Sequence, residues 1–419
     1  MGSISVIELA QTIVDDCLRD GTWPARALDA LVERALDEED GFQALAATRA
    51  FFTIVIEPLG DLFEPHLCDV YAQLFSHVIS RAIPDYRSEE LLLRCRRVRQ
   101  VRRFRGGEVN RVFVLSRVTL GADVAVTSVA LAAAKQRFPD AEICFVGPEK
   151  NAELFAEDKR IVSVPVSYGR KGLLRDRLTA ALELHTLVDE PRSIVIDPDS
   201  RLTQLGLLPV CDDSRYFFFE SRAFGGELLT PLPQLTAEWL SEVFDVEGVT
   251  PYLAPEPRDK IAEIAVSFGV GENASKRISD DFEYQVLAEL LRLNRPILLD
   301  RGAGGEELAR VNALVERLGS PLLLHLHDGS YASFASHILQ SRLYVGYDSA
   351  GQHVAAAGGI PFVSIFAGHA CPRMLARWSP AGRMAHVVAV EDDERSTALE
   401  RTIRAIAEAA EEASAATTG

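Results

Sequence analysis

The sequence lacks a paired-cysteine motif, an excess of positive charge and a long uninterrupted apolar run. Its six cysteines are scattered without CxxC spacing, which argues against a zinc site or a disulfide framework and is typical of a reducing cytosol. The net charge of −17 argues against general nucleic-acid binding, because a polyanion would be repelled. No apolar run reaches the roughly 18–20 residues of a membrane span, and no signal peptide is recognisable at the N-terminus. We therefore expect a cytoplasmic protein that uses no metal or other cofactor.

The first quarter of the chain has helical periodicity. Stretches such as SVIELAQTIVDDCLRD and LCDVYAQLFSHVISRAI place apolar residues three and four positions apart, which predicts an all-helical domain over residues 1–107. It ends in RCRRVRQVRRFR, with seven arginines between Arg94 and Arg105. The simpler interpretation is a solvated helix face or linker. The alternative is a patch for an anionic glycolipid or for peripheral association with the inner face of a membrane, and the helices could also serve oligomer assembly.

The rest of the chain alternates between short β-branched runs and helical stretches. RVFVLSRV, EICFVGP, IVSVPVSY and SIVIDPD form a first series, and EIAVSFGVG, RPILLDRGAG, PLLLHLHDG, RLYVGYDSA and IPFVSIFAG form a second. Such alternation is typical of parallel sheets covered by helices on both faces. We predict two doubly wound, Rossmann-like domains, 108–250 and 251–419, that face each other across a cleft. Ligands of such sheets bind beyond the carboxyl ends of the strands.

Polar residues cluster where the predicted strands end. Asp348 and Ser349 follow one strand and begin a helix whose free amides would suit a phosphate, although an ordinary helix cap would use the same residues. Lys276 closes a Gly/Ser/Asn loop after another strand, which could cradle a diphosphate. Asp123 follows a strand and a glycine turn, where it is either a first-turn acid favoured by the helix dipole or a carboxylate able to take a proton.

Further strand ends carry Asp197 and Arg201, and Glu306 after a glycine-rich turn. His325 and His327 alternate on one strand and are interpreted as core or edge histidines, since no third metal ligand is near in sequence. The sequence contains no GxSxG, P-loop, HExxH or GxGxxG motif that opens a βαβ unit, so hydrolase, nucleoside-triphosphatase and dehydrogenase interpretations lose support.

Residues 110–390 resemble the glycosyltransferases of family 9, the ADP-heptose:lipopolysaccharide heptosyltransferases. The resemblance rests on four segments that occur in that family's order along the chain. They are LSRVTLGADVAVTSVALAAAKQRFPDAEICFVG, SFGVGENASKR, DGSYASFASHILQSRLYVGYDS and YVGYDSAGQHVAAAGGIPFVSIFAG, and the last two overlap. It implies the two-domain GT-B fold and an inverting, metal-independent transfer of a sugar, with heptose from ADP-heptose as the first expectation. The acceptor would be an anionic glycolipid, another glycan or a protein.

The resemblance also implies roles for individual residues. Asp123 would be the general base on the acceptor hydroxyl, and Asp197 and Arg201 would hold the acceptor. The donor would be bound by Lys276, Ser275, Glu306 (or Glu307), Asp348, Ser349, Ala350, Gly351 and His353.

Three positions depart from the family pattern. Ala122 separates Gly121 from Asp123, Ile278 stands where a tryptophan is usual, and Ala350 precedes Gly351. These differences keep two other functions open. One is a catalytically silent relative that binds a sugar nucleotide or a partner, and the other is a nucleotide-sugar epimerase.

Overall fold

The computed structural model describes residues 4–37, 39–271, 273–302, 304–380, 382, 384–391 and 394–415. Within these ranges the chain forms an N-terminal helical region and two wholly parallel sheets with intervening helices. This architecture confirms the predicted fold class.

The N-terminal region is a bundle of helices that share one apolar core. Its helices are α1 (Val6–Asp20), α2 (Ala25–Ala35), α3 (Gly41–Ala50), α4 (Glu57–Asp61), α5 (Pro65–Ala82) and α6 (Ser88–Val98). Helix α1 begins at a capping box, in which the Ser5 hydroxyl accepts from the amide of Glu8 and the Glu8 carboxylate accepts from the amide of Ser5. A π-helical segment, Phe51–Ile56, joins α3 to α4 and makes residues 41–61 one continuous helical stretch.

That stretch bears on the expected absence of a membrane span. Gly41–Asp61 is long and apolar enough to meet the length and composition of a membrane span. Half of its apolar window is buried inside the protein, and Phe51, Val55 and Ile56 pack within the apolar core of the N-terminal region. A core helix passes the same test of length and composition, so this stretch is weak support for a membrane span.

The first sheet has the strand order β3-β2-β1-β4-β5. Its strands are β1 (Arg111–Leu115), β2 (Glu142–Gly147), β3 (Ile161–Pro165), β4 (Ser193–Asp197) and β5 (Tyr216–Phe218), and its helices are α7 (Leu120–Ala122), α8 (Ser128–Arg137), α9 (Glu149–Ala152), α10 (Leu174–Val188) and α11 (Leu232–Phe244). The direction of winding reverses between β1 and β4, and ligands of doubly wound sheets bind at such a switch point.

The second sheet has the order β11-β10-β9-β6-β7-β8 and reverses between β6 and β9. Its strands are β6 (Ile264–Ser267), β7 (Ile297–Asp300), β8 (Leu324–His327), β9 (Leu343–Tyr347), β10 (Phe362–Ala367) and β11 (Ala385–Val390). Its helices are α12 (Asp280–Arg292), α13 (Gly305–Arg317), α14 (Tyr331–Gln340), α15 (Ala350–Ala357), α16 (Pro372–Trp378) and α17 (Ala398–Ala415). Strands β5 and β11 were missed by the sequence analysis. The first has only three residues, and in the second only Val388 and Val390 are fully buried.

The N-terminal helices cover one face of the first sheet. Phe113 and Leu115 of β1 point into a core shared with helices α1 to α6 and α10, whereas Val112 and Val114 point to the opposite face. This alternation follows from the period of two along a strand. The opposite face continues as one apolar cluster into the second domain, where it includes Tyr344. The helical region therefore supplies a layer of the first domain. The domain limits of 1–107, 108–250 and 251–419 stay a prediction.

Candidate functional site

The end of β9 and the loop after β6 meet at the switch point of the second sheet. Lys276 Nζ donates to Asp348 Oδ2 at 2.5 Å, and the Asp348 side chain is only 5% exposed. The other oxygen of Asp348 accepts from the side-chain amide of Gln352. The two sequence-predicted residues Lys276 and Asp348 are thus brought together, and the Lys276 ammonium group lies at the switch point.

A buried polar layer supports this pair. Gln352 is fully enclosed and its carbonyl oxygen accepts from the hydroxyl of Ser364 on β10. His353 lies beside it, with its ring 5.9 Å from that of Trp378. Burial lowers the pKa of His353 to about 4, so the imidazole is neutral at pH 7. Sequence reasoning predicted His353 but missed Gln352, Ser364 and Trp378.

The start of α15 is one of the places where the two domains touch. A methyl group on Gly121 would lie 3.2 Å from the Cα atom of Ala350 and 3.3 Å from the His353 ring. Ser349 stands at the N-cap position without a side-chain capping bond inside the described ranges, so it does not itself cap the helix. Gly351 has a packing explanation, because a methyl group there would lie 2.1 Å from the hydroxyl of Tyr344.

The remaining predicted donor residues lie on two short segments: Ser275 belongs to the 3-10 turn Ala274–Lys276, and Glu306 to the first turn of α13. Ser275 is exposed and its hydroxyl donates to Asn273 at 2.6 Å. Glu306 is exposed, whereas Glu307 folds between two turns: a methyl group on Gly302 would lie 2.2 Å from its carboxyl carbon. The assignment of Ser275 and Glu306 to the donor stays a prediction.

Asp123 is enclosed completely. Its Oδ1 accepts from the amide of Arg117 at 2.7 Å and from the hydroxyl of Thr127 at 2.6 Å. Its Oδ2 accepts from the hydroxyl of Ser116 at 2.6 Å and from the amide of Asn151 at 2.5 Å. Burial raises the pKa of this carboxyl, and the four donors oppose the rise. With two donors on each oxygen, Asp123 shapes the turn after β1 and presents no free lone pair to the cleft.

The turn after β1 also absorbs the additional residue noted in the sequence. Helix α7 covers only three residues and passes directly into a π-helical segment, Asp123–Thr127. A π-helical segment accommodates one extra residue within a helix. This geometry accounts for Ala122 and leaves the Asp123 side chain directed inward.

The switch point of the first sheet carries a cluster of arginines. Asp197 does not reach the cleft: it accepts from Thr203, Tyr216 and the amide of Ser200, and burial raises its pKa to about 6. Arg201 is half-buried, and its Nη1 has no hydrogen-bond partner among the described residues. It is the better placed of the two predicted acceptor residues.

Arg117 and Arg222 complete the cluster, and sequence reasoning missed both. Arg222 Nη1 donates to Asp199 at 2.6 Å, and Arg117 Nη1 donates to Ser221 at 2.6 Å. The Arg117 guanidinium also lies 5.8 Å from the centre of the Trp378 ring, which belongs to the second domain. Arg117 is the second residue after β1, so its position at a strand end is the signal that could have identified it.

A segment of the N-terminal region, Gly60–Glu64, lies against the arginine cluster at the end of the first sheet. We call it the wedge segment. A methyl group on Gly60 would lie 2.8 Å from Arg222 Nε. The carbonyl of Phe63 accepts from Arg373 Nη1 at 2.9 Å, and the Phe63 ring packs edge-on against Trp378 at 6.4 Å. The wedge segment therefore contacts both Rossmann-like domains.

The basic run has mostly internal partners. Arg94 and Arg97 each lie 2.8 Å from Asp213, and Arg99 pairs with Asp69 and Glu220. These pairs tie α6 to the first sheet, so the structure favours the structural interpretation of these arginines. In the part of the chain that the structure describes, no group of three or more His, Cys, Asp or Glu residues is arranged to hold a metal ion.

Comparisons with known proteins identify relatives by structure only. No protein-family model and no curated protein matches the sequence. A glycosyl transferase family 9 protein from Veillonella parvula is 17% identical, with 73% of this chain and 98% of that chain covered at a TM-score of 0.54. The E. coli heptosyltransferase WaaC with ADP is 16% identical (72% and 99% covered, TM-score 0.54), and the E. coli ADP-heptose LPS heptosyltransferase II is 14% identical (72% and 99% covered, TM-score 0.52). At these identities the similarity establishes a shared fold.

Proposed function

We propose that this protein is an inverting, metal-independent glycosyltransferase that takes a sugar from a nucleotide-diphospho-sugar. ADP-heptose is the first candidate donor, because the structural neighbours are heptosyltransferases and one of them was solved with ADP. The acceptor is a hydroxyl of a glycolipid, another glycan or a protein, and the reaction takes place in the cytoplasm or at the inner face of its membrane.

The observation that carries the proposal is the arrangement of cations at the two switch points. Lys276 stands beside Asp348 at the end of the second sheet, and Arg117, Arg201 and Arg222 stand at the end of the first. A diphosphate brings two or more negative charges, and a cluster of fixed cations in a partly buried site suits it. The amide groups that open α15 add further donors next to Lys276.

This arrangement supports a single-displacement reaction. The acceptor oxygen attacks the anomeric carbon on the face opposite the diphosphate, and a new carbon–oxygen bond forms. The bond between the anomeric carbon and the diphosphate oxygen breaks, and its electron pair leaves with the nucleoside diphosphate. Lys276 and the α15 amides stabilise the charge that develops on that leaving group. Neutral His353 is available for a hydrogen bond to the donor.

The test is a screen of purified protein against ADP-, GDP-, UDP- and dTDP-sugars, by thermal shift and by mass spectrometry of the products. A donor at one hundred times its Kd adds about 2.7 kcal/mol to the stability of the folded state. Lys276→Ala should remove most of that ligand-induced gain and slow turnover by roughly 100-fold or more. The matched control is Lys159→Ala, whose side chain is 84% exposed in the first domain. Equal ligand-induced gains in Lys276→Ala and wild type would contradict the proposal.

A second candidate function is a non-catalytic sugar-nucleotide-binding protein. The observation that favours it is the full occupation of Asp123 by four donors, which leaves the expected base without a free lone pair. It predicts a donor that binds but is never consumed, by hydrolysis or by transfer. An epimerase would instead convert the donor with no acceptor present.

A further inference from the structure

The wedge segment brings two carboxylates of the N-terminal region to the Rossmann-like domains. Glu64 pairs with Arg373 of the second domain at 2.9 Å, and Asp61 is the other. Asp61 is the last residue of α4 and follows Gly60, which abuts Arg222. Two residues later, Phe63 is held against Trp378 and Arg373 of the second domain. The position of Asp61 is therefore fixed from both sides by contacts to the two Rossmann-like domains.

Asp61 lies within the electrostatic reach of four cations. Arg222, Arg201 and Arg117 come from the first domain, and Lys276 comes from the second. These are the cations that we assign to the donor diphosphate and the acceptor. Asp61 thus interacts with cations on both sides of the site.

Asp61 differs from Asp123, Asp199 and Asp348 in having no hydrogen bond or ion pair within the described residues. Asp123 accepts four hydrogen bonds, Asp199 accepts from Arg222 and Ser221, and Asp348 accepts from Lys276 and Gln352. A general base needs a free lone pair within hydrogen-bond reach of the proton that it removes. Asp61 has free lone pairs, whereas both carboxylate oxygens of Asp123 are already occupied by donors.

We propose that Asp61 is the general base that takes the proton from the acceptor hydroxyl, and that Asp123 is a positioning residue that shapes the turn after β1. This inference rests on the proposed function. The proton passes from the acceptor hydroxyl to a carboxylate oxygen of Asp61 as the acceptor oxygen bonds to the anomeric carbon. The nucleoside diphosphate leaves with the electron pair of the broken bond, and Asp61 later releases the proton to water. The N-terminal helical region is then part of the catalytic site.

The charges around Asp61 are compatible with this role. Burial raises its pKa above the ordinary value for an aspartate, and Arg222, Arg201, Lys276 and Arg117 oppose the rise. A base with a raised pKa accepts a proton more readily near neutral pH.

The experiment compares Asp61→Asn with wild type, using the nucleotide sugar that stabilises the protein in the screen. The asparagine keeps the shape of the side chain but cannot accept a proton. We expect at least a 100-fold lower kcat for nucleoside diphosphate release, with water or an added glycan as acceptor, and an unchanged thermal shift by the donor. Asp61→Glu should recover part of the rate, and the acidic limb of the pH–rate profile should disappear in Asp61→Asn.

The control is Asp69→Asn, an exposed carboxylate at the start of the neighbouring helix α5 that pairs with Arg99. It should keep the wild-type rate. A kcat in Asp61→Asn within a few-fold of wild type would overturn the assignment of Asp61 while leaving the transferase proposal intact. So would a fall in kcat that is matched by Asp61→Glu and accompanied by a lower Tm, since that pattern marks a structural role. Wild-type protein that neither binds nor consumes any nucleotide sugar would overturn the proposed function, and the assignment of Asp61 with it.

Discussion

Replacing Phe63 with alanine removes the main apolar contact of the wedge segment. The side chain is 2% exposed and packs against Trp378 in the cluster that joins the two domains. Truncating a buried phenylalanine costs about 3–5 kcal/mol, because apolar burial is lost and a cavity remains. For a chain of this length the unfolding entropy is roughly 0.9 kcal/mol per degree if it unfolds as one unit, so Tm should fall by roughly 3–6 °C.

The assay is thermal and urea denaturation of the full chain, followed by circular dichroism. The matched control is Phe42→Ala on the same helical region, where the side chain is 82% exposed and its loss should change stability by less than about 0.5 kcal/mol. Because Phe63 also fixes the position of Asp61, turnover should fall at temperatures where the variant is still folded. If Phe63→Ala and Phe42→Ala have the same Tm and the same rate, the wedge segment is not held between the domains as described.

Two further predictions concern the second domain. The pKa of His353 is lowered to about 4 by burial, below the ordinary value of 6.5, so protons bind the unfolded chain first as pH falls. Wild type should therefore lose roughly 3 kcal/mol of stability between pH 6.5 and 4 relative to His353→Gln, and equal pH dependence of Tm in the two proteins would refute this. Gly351→Ala should be strongly destabilising, because its methyl group would lie 2.1 Å from Tyr344, whereas Gly41→Ala, in open space, should be neutral or slightly stabilising in the same denaturation assay.

The fold could be predicted from the sequence because its determinants are local and repeated. Buried parallel strands appear as continuous β-branched runs, and the helices between them keep a period near 3.6 residues. The same alternation predicted which polar residues lie at strand ends, and it brought Lys276 to Asp348 from 72 positions away. Parallel strands put all their carboxyl ends on one edge of the sheet, so this proximity follows from topology alone.

The acceptor side could not be predicted in the same way, since it depends on contacts between distant parts of the chain. Arg222 follows a three-residue strand, which is too short to be recognised from the sequence. Asp61 lies in a region whose helical pattern does not indicate catalysis. The Asp123 carboxylate accepts from Asn151 and Thr127 as well as from Ser116. The position of Asp123 at a strand end indicated a base. The number of hydrogen bonds that its carboxylate accepts becomes visible only in the folded structure, because the donors come from separate segments of the chain.

The altered turn after β1 and the wedge segment have a common consequence for the site. One extra residue, taken up by the π-helical segment at Asp123–Thr127, directs the Asp123 side chain inward, where four donors satisfy it. A site that deprotonates a hydroxyl still needs a carboxylate or another base with a free lone pair. Asp61, on the wedge segment, interacts electrostatically with three arginines of the first domain and with Lys276 of the second. If the protein is a transferase, we infer that Asp61 of the helical region is the base, because the turn after β1 directs Asp123 away from the cleft. Restoring the shorter turn by deleting Ala122 should then reduce the dependence of the rate on Asp61.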